Sequence, residues 1–446
     1  MENGEYAELQ IQLNEDCKFS YARLGTNKSV CKNRSRCIFT NFACNKTIPF
    51  NAKMSKLRIL IDQNIPFIQG LLDATADVIY FPGNKISSEE VKNADGLVIR
   101  TRTKCNADLL KDSNIKFIAS ATIGFDHIDT EFCKENNISW ANAPGCNASS
   151  VEQYVVSTLL SLAKKYNFEL KNKTIGIVGV GNVGNRVKNA AFALGMNVIL
   201  NDPPRQRSET LPNFVDLDFI QKNADIISFH VPLIKRGIDK TLDLVNSLFF
   251  ENVKKGIILL NTSRGEIIDE AALEQAIDNG IIQAAVLDVW RNEPNINQRL
   301  LNKITFATPH IAGYSADGKA KGTEMSIISV CNAFQIQISD WTALEIPKPK
   351  NAFIQIDCKS KNNQEIIFEV YKQCYSILED DSLLRKSPAD FEKFRENYPL
   401  RRESKAYRVE LKQCKNEELV NTLLNLGFQS IELKNSAKKD LNNPLG

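Results

Sequence analysis

From residue 57 onward the chain alternates short aliphatic runs with longer segments of helical periodicity. The first series of runs is RILID, DVIYF, GLVIR, KFIASA and ISWAN. The second is TIGIVGVG, NVILND, DIISFHV, GIILLNT, QAAVLDV and ITFATPH. Near-continuous Val, Ile and Leu predict strands buried on both faces. With helices between them, such strands pair in parallel. The pattern therefore predicts an α/β fold with two doubly wound parallel-sheet domains in series.

The stretch NASSVEQYVVSTLLSLAKKY predicts a long helix at their join, with Ser149 and Glu152 spaced as a capping box. A second helix, about 318–338, follows the last strand and can return the chain to the first domain. Two crossings would make a hinge with a cleft between the domains. This assigns 54–148 and 318–345 to one domain and 149–317 to the other. After EIPKPK the character changes. AFIQID and SIEL read as strands, QEIIFEVYKQCYSIL and EELVNTLLNLGF as helices, and LRRESKAYRV as a basic patch. Residues 346–446 are thus expected to form a small third α/β module. Residues 1–53 are polar and lack sustained periodicity. We expect a flexible extension or the product of an upstream start codon, with a regulatory or targeting arm as the alternative.

Composition narrows the function classes. Hydrophobic residues make up 43% and charged residues 24%, as in soluble globular proteins. The 56 basic and 53 acidic residues leave a formal charge of +3. That gives no ground for a nucleic-acid or membrane-surface partner. No apolar run reaches the roughly 18 residues of a membrane span, and the first residues lack a signal-peptide pattern. The eleven cysteines are scattered, form no CxxC and lack zinc-site spacing. Reduced thiols in a cytoplasmic protein without a metal are the expectation.

The run TIGIVGVGNVGNRV contains Gly179, Gly181 and Gly184 as GxGxxG between a strand and a helix, the context that motif requires. Such a turn lets the backbone approach a pyrophosphate at the positive end of a helix. Asp202 closes the next strand, where a carboxylate can accept from both ribose hydroxyls and repel a 2′-phosphate. NAD is therefore the expected cofactor, although Arg205 lies close by.

Three polar residues follow strands of the second series: Arg264, Glu293 and His310. In parallel sheets such positions lie at the ligand-binding ends. Arg suits a substrate carboxylate, His suits proton transfer near neutral pH, and Glu can orient the imidazole. That set fits oxidation of a 2-hydroxy acid. A core histidine satisfied by its neighbours remains the alternative for His310. His127 reads as a loop residue, and His230 as structural or as lining the cofactor pocket.

GIVGVGNVG, LLNTSRGEIIDEAAL, VLDVWRNEP and TPHIAGYS, in that order, resemble the motifs of the D-isomer-specific 2-hydroxy acid dehydrogenases. The resemblance implies a Rossmann-type NAD domain and a flavodoxin-like substrate domain. It assigns Arg264, Glu293 and His310 to catalysis, with Asp202, Asp288 and Gly313 at the cofactor. ILIDQNIPF, VIRTRTKCN, NDPPR and the tail DDSLLRKSPADFEKFRENYPLRRE are closer to one branch of the family. That branch implies a phosphorylated sugar-acid substrate, a C-terminal dimerisation domain, a homodimer and a place on the route to pyridoxal 5′-phosphate. It also implies substrate contacts from Thr101, Thr122 and Tyr314; a phosphate would chemically suit hydroxyls, backbone N–H groups and a nearby Arg100 or Arg102. Thr101 stands where a serine is usual, and Val231 where a threonine often meets NAD. The alternatives are the same chemistry on 3-phosphoglycerate, and an NAD(H)-sensing interaction protein.

Overall fold

The computed structural model describes residues 56–209, 213–337, 345–414 and 416–434. The expectation for residues 1–53 lies outside these. All eleven predicted runs between residues 57 and 310 form strands. β1 (Arg58–Asp62), β2 (Asp77–Phe81), β3 (Gly96–Ile99), β4 (Phe117–Ser120) and β5 (Ser139–Ala141) make one parallel sheet in the order β2-β1-β3-β4-β5. This is the flavodoxin-like order, and its switch point lies between β1 and β3.

The second sheet is also parallel. Its strands are β6 (Thr174–Val178), β7 (Asn197–Asn201), β8 (Ile226–Phe229), β9 (Ile257–Asn261), β10 (Ile282–Leu287) and β11 (Phe306–Ala307). The order is β11-β10-β9-β8-β6-β7, so the winding reverses between β6 and β8. β8 and β9 are buried at every position, because helices cover both faces.

The joining helix spans Ala148–Tyr166 and starts earlier than the sequence suggests. Its N-cap is Asn147, so Ser149 already lies inside the first turn and the expected capping box does not form. Glu152 instead turns to Arg186, 3.4 Å away on the neighbouring helix Asn182–Ala193. The return helix spans Ala316–Phe334, and its Ile327, Val330 and Cys331 enter the core beneath β1, β3 and β4.

The C-terminal segment builds a third parallel sheet from β12 (Phe353–Asp357), β13 (Arg408–Lys412) and β14 (Ser430–Lys434). Ile354, Ile356, Val409 and Leu411 share one core with the joining helix and β6. The module is therefore packed into the second unit rather than built around a core of its own. Between β12 and β13 the chain runs along the edge strand β11. In the helix Ile377–Lys386, Asp381 accepts the Ala307 N–H at 2.7 Å, and Arg385 donates to the Leu301 and Ile304 carbonyls at 2.6 and 3.0 Å. This covers an edge that would otherwise be open to pairing. It also delivers the helix Phe391–Glu396 toward the first unit, where Glu392 pairs with Arg102.

The expected basic patch is a buried clamp. Arg401 is 5% and Arg402 9% exposed. Arg401 stacks 3.7 Å from the Tyr375 ring centroid and donates to Gln153 and to the Ile311 and Ala312 carbonyls. Arg402 donates to Asp317 at 2.8 Å. Charge runs usually face solvent; here carboxylate and carbonyl partners supply the compensation that burial demands. β13, which opens inside the same stretch, was hidden by those charges.

Candidate active site

β9, β10 and β11 are neighbours, and their carboxyl ends carry Arg264, Glu293 and His310. The Asp288 carbonyl, just past β10, accepts the His310 N–H at 2.7 Å. One Asp288 oxygen takes the Thr308 hydroxyl at 2.6 Å and the Ile311 N–H at 2.8 Å; the other takes the Ala312 N–H at 2.9 Å. The Tyr154 hydroxyl meets Thr308 at 2.7 Å, so the network reaches down to the joining helix. Gripped from both sides, His310 adopts φ +55°. That conformation costs a non-glycine residue about 1–2 kcal/mol, and its persistence requires surroundings that enforce it. Asp288 is 1% exposed. Its expected place at the cofactor is thus shared with a visible one, as the anchor of the His310 loop. Burial raises its pKa, against the pull of His310 and its three donors.

The other side of the loop aims the imidazole. His310 Nδ1 lies 2.8 Å from Glu293 Oε2, and Glu293 Oε1 accepts the Trp290 N–H at 2.9 Å. Burial would raise the Glu293 pKa; the charge and hydrogen bond of His310, with the Trp290 amide, outweigh it and hold the acid below its ordinary value. In the neutral ring, a carboxylate facing Nδ1 makes that nitrogen the donor and leaves the lone pair on Nε2.

Arg264 reaches across to the first unit. Its Nη2 and Nε donate to Asp126 Oδ2 at 2.9 and 3.2 Å, and its Nη1 to the Ser263 carbonyl at 2.7 Å. A guanidinium has five N–H groups, so two remain for a ligand. Sequence reasoning passed over Asp126; its GFDHID loop was read only for His127. Burial drives that His127 imidazole down to about 4, so it is neutral, and it meets Ser120 at 3.2 Å. His230 is neutral too, pushed down to about 3 by burial, and sits between the hydroxyls of Ser228 and Thr262 at 2.9 and 3.2 Å.

The glycine turn lies at the switch point of the second sheet. Gly179 has φ +87°, and a Cβ there would stand 2.7 Å from the His230 carbonyl. A Cβ on Gly184 would strike the Gly179 carbonyl at 2.0 Å. Gly181 differs: its φ is ordinary and a Cβ would meet nothing within 4 Å. Protein packing does not require glycine there, whereas a phosphate lying against the helix start does. Asp202 Oδ2 accepts the Val180 N–H at 2.8 Å, which sets the acid against this turn. Arg205 donates to Glu209 and to the Val180 carbonyl.

At the other switch point lies a cleft of about 560 Å³. Thr101, Thr122, Gly313 and Tyr314 line it, as do Arg100, Arg102, Lys319 and Arg395. The triad borders this cleft without lining it. Gly124 packs against Arg264 so closely that a Cβ would stand 2.3 Å from Nη2, and Arg395 is near enough to lower the Glu293 pKa. Lys319 and Arg395 escaped the sequence reading. One looks like an ordinary charge on a helix, and the other lies far along the chain.

The family model for the D-isomer specific 2-hydroxyacid dehydrogenase NAD binding domain matches residues 148–312, and a domain of unknown function matches 347–427. The erythronate-4-phosphate dehydrogenase of Bacteroides thetaiotaomicron is 48% identical over 354 residues, covering 79% of this chain and 99% of its own. The enzyme of that name from Proteus mirabilis is 40% identical, covering 84% and 99%. NAD+-bound 3-phosphoglycerate dehydrogenase from Entamoeba histolytica superimposes with a TM-score of 0.55 at 26% identity, covering 63% of this chain and 96% of that one. With its sheet order, its glycine turn and relatives this similar along nearly their whole length, the chain belongs to the erythronate-4-phosphate dehydrogenases, within the D-isomer-specific 2-hydroxyacid dehydrogenases.

Proposed function

We propose that this protein oxidises 4-phospho-D-erythronate at C2 to 2-oxo-3-hydroxy-4-phosphobutanoate, with NAD as cofactor, on the route to pyridoxal 5′-phosphate. The observation that carries the reading is the 2.8 Å bond between His310 Nδ1 and Glu293 at the ends of adjacent parallel strands. In the neutral ring it leaves the lone pair on Nε2, which can then take the C2 hydroxyl proton. Glu293 then faces the imidazolium and stabilises its charge. The two free Arg264 N–H groups receive the substrate carboxylate, with Asp126 fixing the guanidinium plane.

The Gly179–Gly184 turn and Asp202 hold the cofactor, and the open space at Gly181 fits its pyrophosphate. NAD, when bound, supplies the hydride acceptor. Asp288 acts by anchoring the loop that carries His310 and Gly313 beside the cofactor. The hydroxyls of Thr101, Thr122 and Tyr314 contact substrate from the cleft. In this reading the first sheet with the return helix is the substrate side, 54–148 and 318–345. Residues 149–317 are the cofactor side.

The seven described cysteines are buried free thiols, and no helix among the described residues is long and apolar enough to cross a membrane; both fit a cytoplasmic enzyme. We assign the homodimer to the outer face of the third sheet. There β12 turns Phe353, Gln355 and Asp357 outward while Ile354 and Ile356 face the core.

The test is a side-by-side assay of 4-phospho-D-erythronate and 3-phosphoglycerate with NAD, with a 2-oxo acid added to reoxidise any cofactor retained. Preferential turnover of the erythronate ester is expected. Turnover of 3-phosphoglycerate alone would overturn the substrate and keep the chemistry. NADH binding with turnover of neither would favour the NAD(H)-sensing reading.

A further inference from the structure

The cleft at the first switch point holds more positive charge than its carboxylates balance. Arg100, Arg102, Lys319 and Arg395 line it, with Glu396 as the one acid among the described residues. Arg100 is committed to buried Asp62 at 2.8 Å. Arg102 and Arg395 share a single carboxylate, Glu392. The charges that act on Lys319 are two further cations, Arg100 and Arg395, and no carboxylate among the described residues offsets them. Lys319 Nζ lies 4.5 Å from the Tyr314 ring centroid, and Arg395 Cζ 5.7 Å from it. Tyr314 therefore seats both cations at one wall of the cleft. The Arg395 Nε is buried without a hydrogen-bond partner.

We propose that Lys319 and Arg395, both held against the Tyr314 ring, form the subsite for the substrate's phosphate. This rests on the reaction proposed above. A phosphate monoester carries about −1.5 to −2 charge at pH 7 and three acceptor oxygens. It gives Lys319 a counter-ion, adds a second anion for Arg395 beside the shared Glu392 and relieves the repulsion between the two side chains. Of the phosphate ligands expected from sequence, Arg100 is held by buried Asp62, and Arg102 shares Glu392 with Arg395; both serve as the rim. Burial and the neighbouring cations push the Lys319 amine down to about 8, a cost to the free protein that a bound anion removes.

The proposal gives the C-terminal module a second task. Arg395 lies on the helix Phe391–Glu396, which reaches the cleft because residues 377–390 run along β11. The module thus contributes to substrate choice. A hydroxy acid without a phosphate at that reach leaves Lys319 without a counter-ion and Arg395 still sharing Glu392 with Arg102.

The experiment compares wild type with Lys319→Gln and Arg395→Gln, using 4-phospho-D-erythronate, unphosphorylated D-erythronate and inorganic phosphate as an inhibitor. NADH binding checks that each variant folds, and Arg395→Lys tests whether charge alone rescues. Losing one charge-assisted contact should raise the KM for the phosphorylated acid and the Ki for phosphate by roughly 10–100-fold. The preference for the phosphorylated over the unphosphorylated acid should fall by the same factor. Above pH 8 the wild-type KM for the phosphorylated acid should climb as Lys319 loses its proton, with Arg100 and Arg395 still charged around it; Lys319→Gln should lose that limb. Equal losses on both acids with an unchanged phosphate Ki would overturn the subsite. If wild type turns over neither acid but phosphate protects it thermally and the variants lose that protection, the reaction fails and the anion site stands. If phosphate also protects the variants equally, both fail.

Discussion

His310 shows most directly what the chain spends on this site. A left-handed backbone at a non-glycine residue is unfavourable, and four hydrogen bonds around Asp288 hold it there. His310→Ala should lower kcat about 100-fold or more while NADH binding persists, because the imidazole supplies proton transfer and not the fold. Wild-type rates in that variant would remove His310 from the role. Arg264→Ala should raise the KM for the hydroxy acid and lower kcat together, read by steady-state kinetics. A KM unchanged from wild type would break the carboxylate assignment. Arg264, Glu293 and His310 were legible because each follows a readable strand. Lys319, Arg395 and Asp126 were not: their partners come from distant segments that only folding brings near. Arg401 and Arg402 misled for a related reason, since a charge run reads as surface unless Asp317 and the Ile311 and Ala312 carbonyls are known to meet it.

At the scale of elements, strands were read more surely than helix starts. Apolar runs are set by burial on both faces, which a sequence displays directly. A helix start depends on one cap, and here Asn147 precedes the Ser149–Glu152 pair that looked like a box. Glu152 is then free to face Arg186 between two packed helices. Burial raises its carboxyl to about 7, with Arg186 only partly opposing it. The folded state therefore binds a proton there more tightly than the unfolded chain does. Stability from this group is present below about pH 4.5, the ordinary value, and is lost as pH rises through about 7. Glu152→Gln should flatten the fall in thermal midpoint between pH 5 and 8 and raise the midpoint at pH 8. A parallel fall in wild type and variant would show that Glu152 titrates normally.

Across the whole molecule, two switch points do separate work. The glycine turn occupies one and the cation-lined cleft the other, with the triad between them on β9, β10 and β11. The sequence displayed both winding patterns, but not that the third sheet shares a core with the second unit and sends a helix into the cleft. That path accounts for a module with few signals of its own. Arg401 and Arg402 point inward, and β13 starts within the same charged stretch. Sedimentation velocity should find a dimer, with Phe353→Asp shifting it toward monomer, since Phe353 lies on the uncovered face. A variant that stays dimeric would move the interface elsewhere.

The central claim is a hydride transfer from C2 of the phosphorylated acid. It is tested most directly by a single turnover of 4-phospho-D-erythronate deuterated at C2 with NAD, followed by mass spectrometry of the extracted cofactor. The account predicts one deuterium in the reduced cofactor and the matching 2-oxo acid as product. Reduced cofactor without the label, or intact substrate beside unchanged NAD, would contradict it.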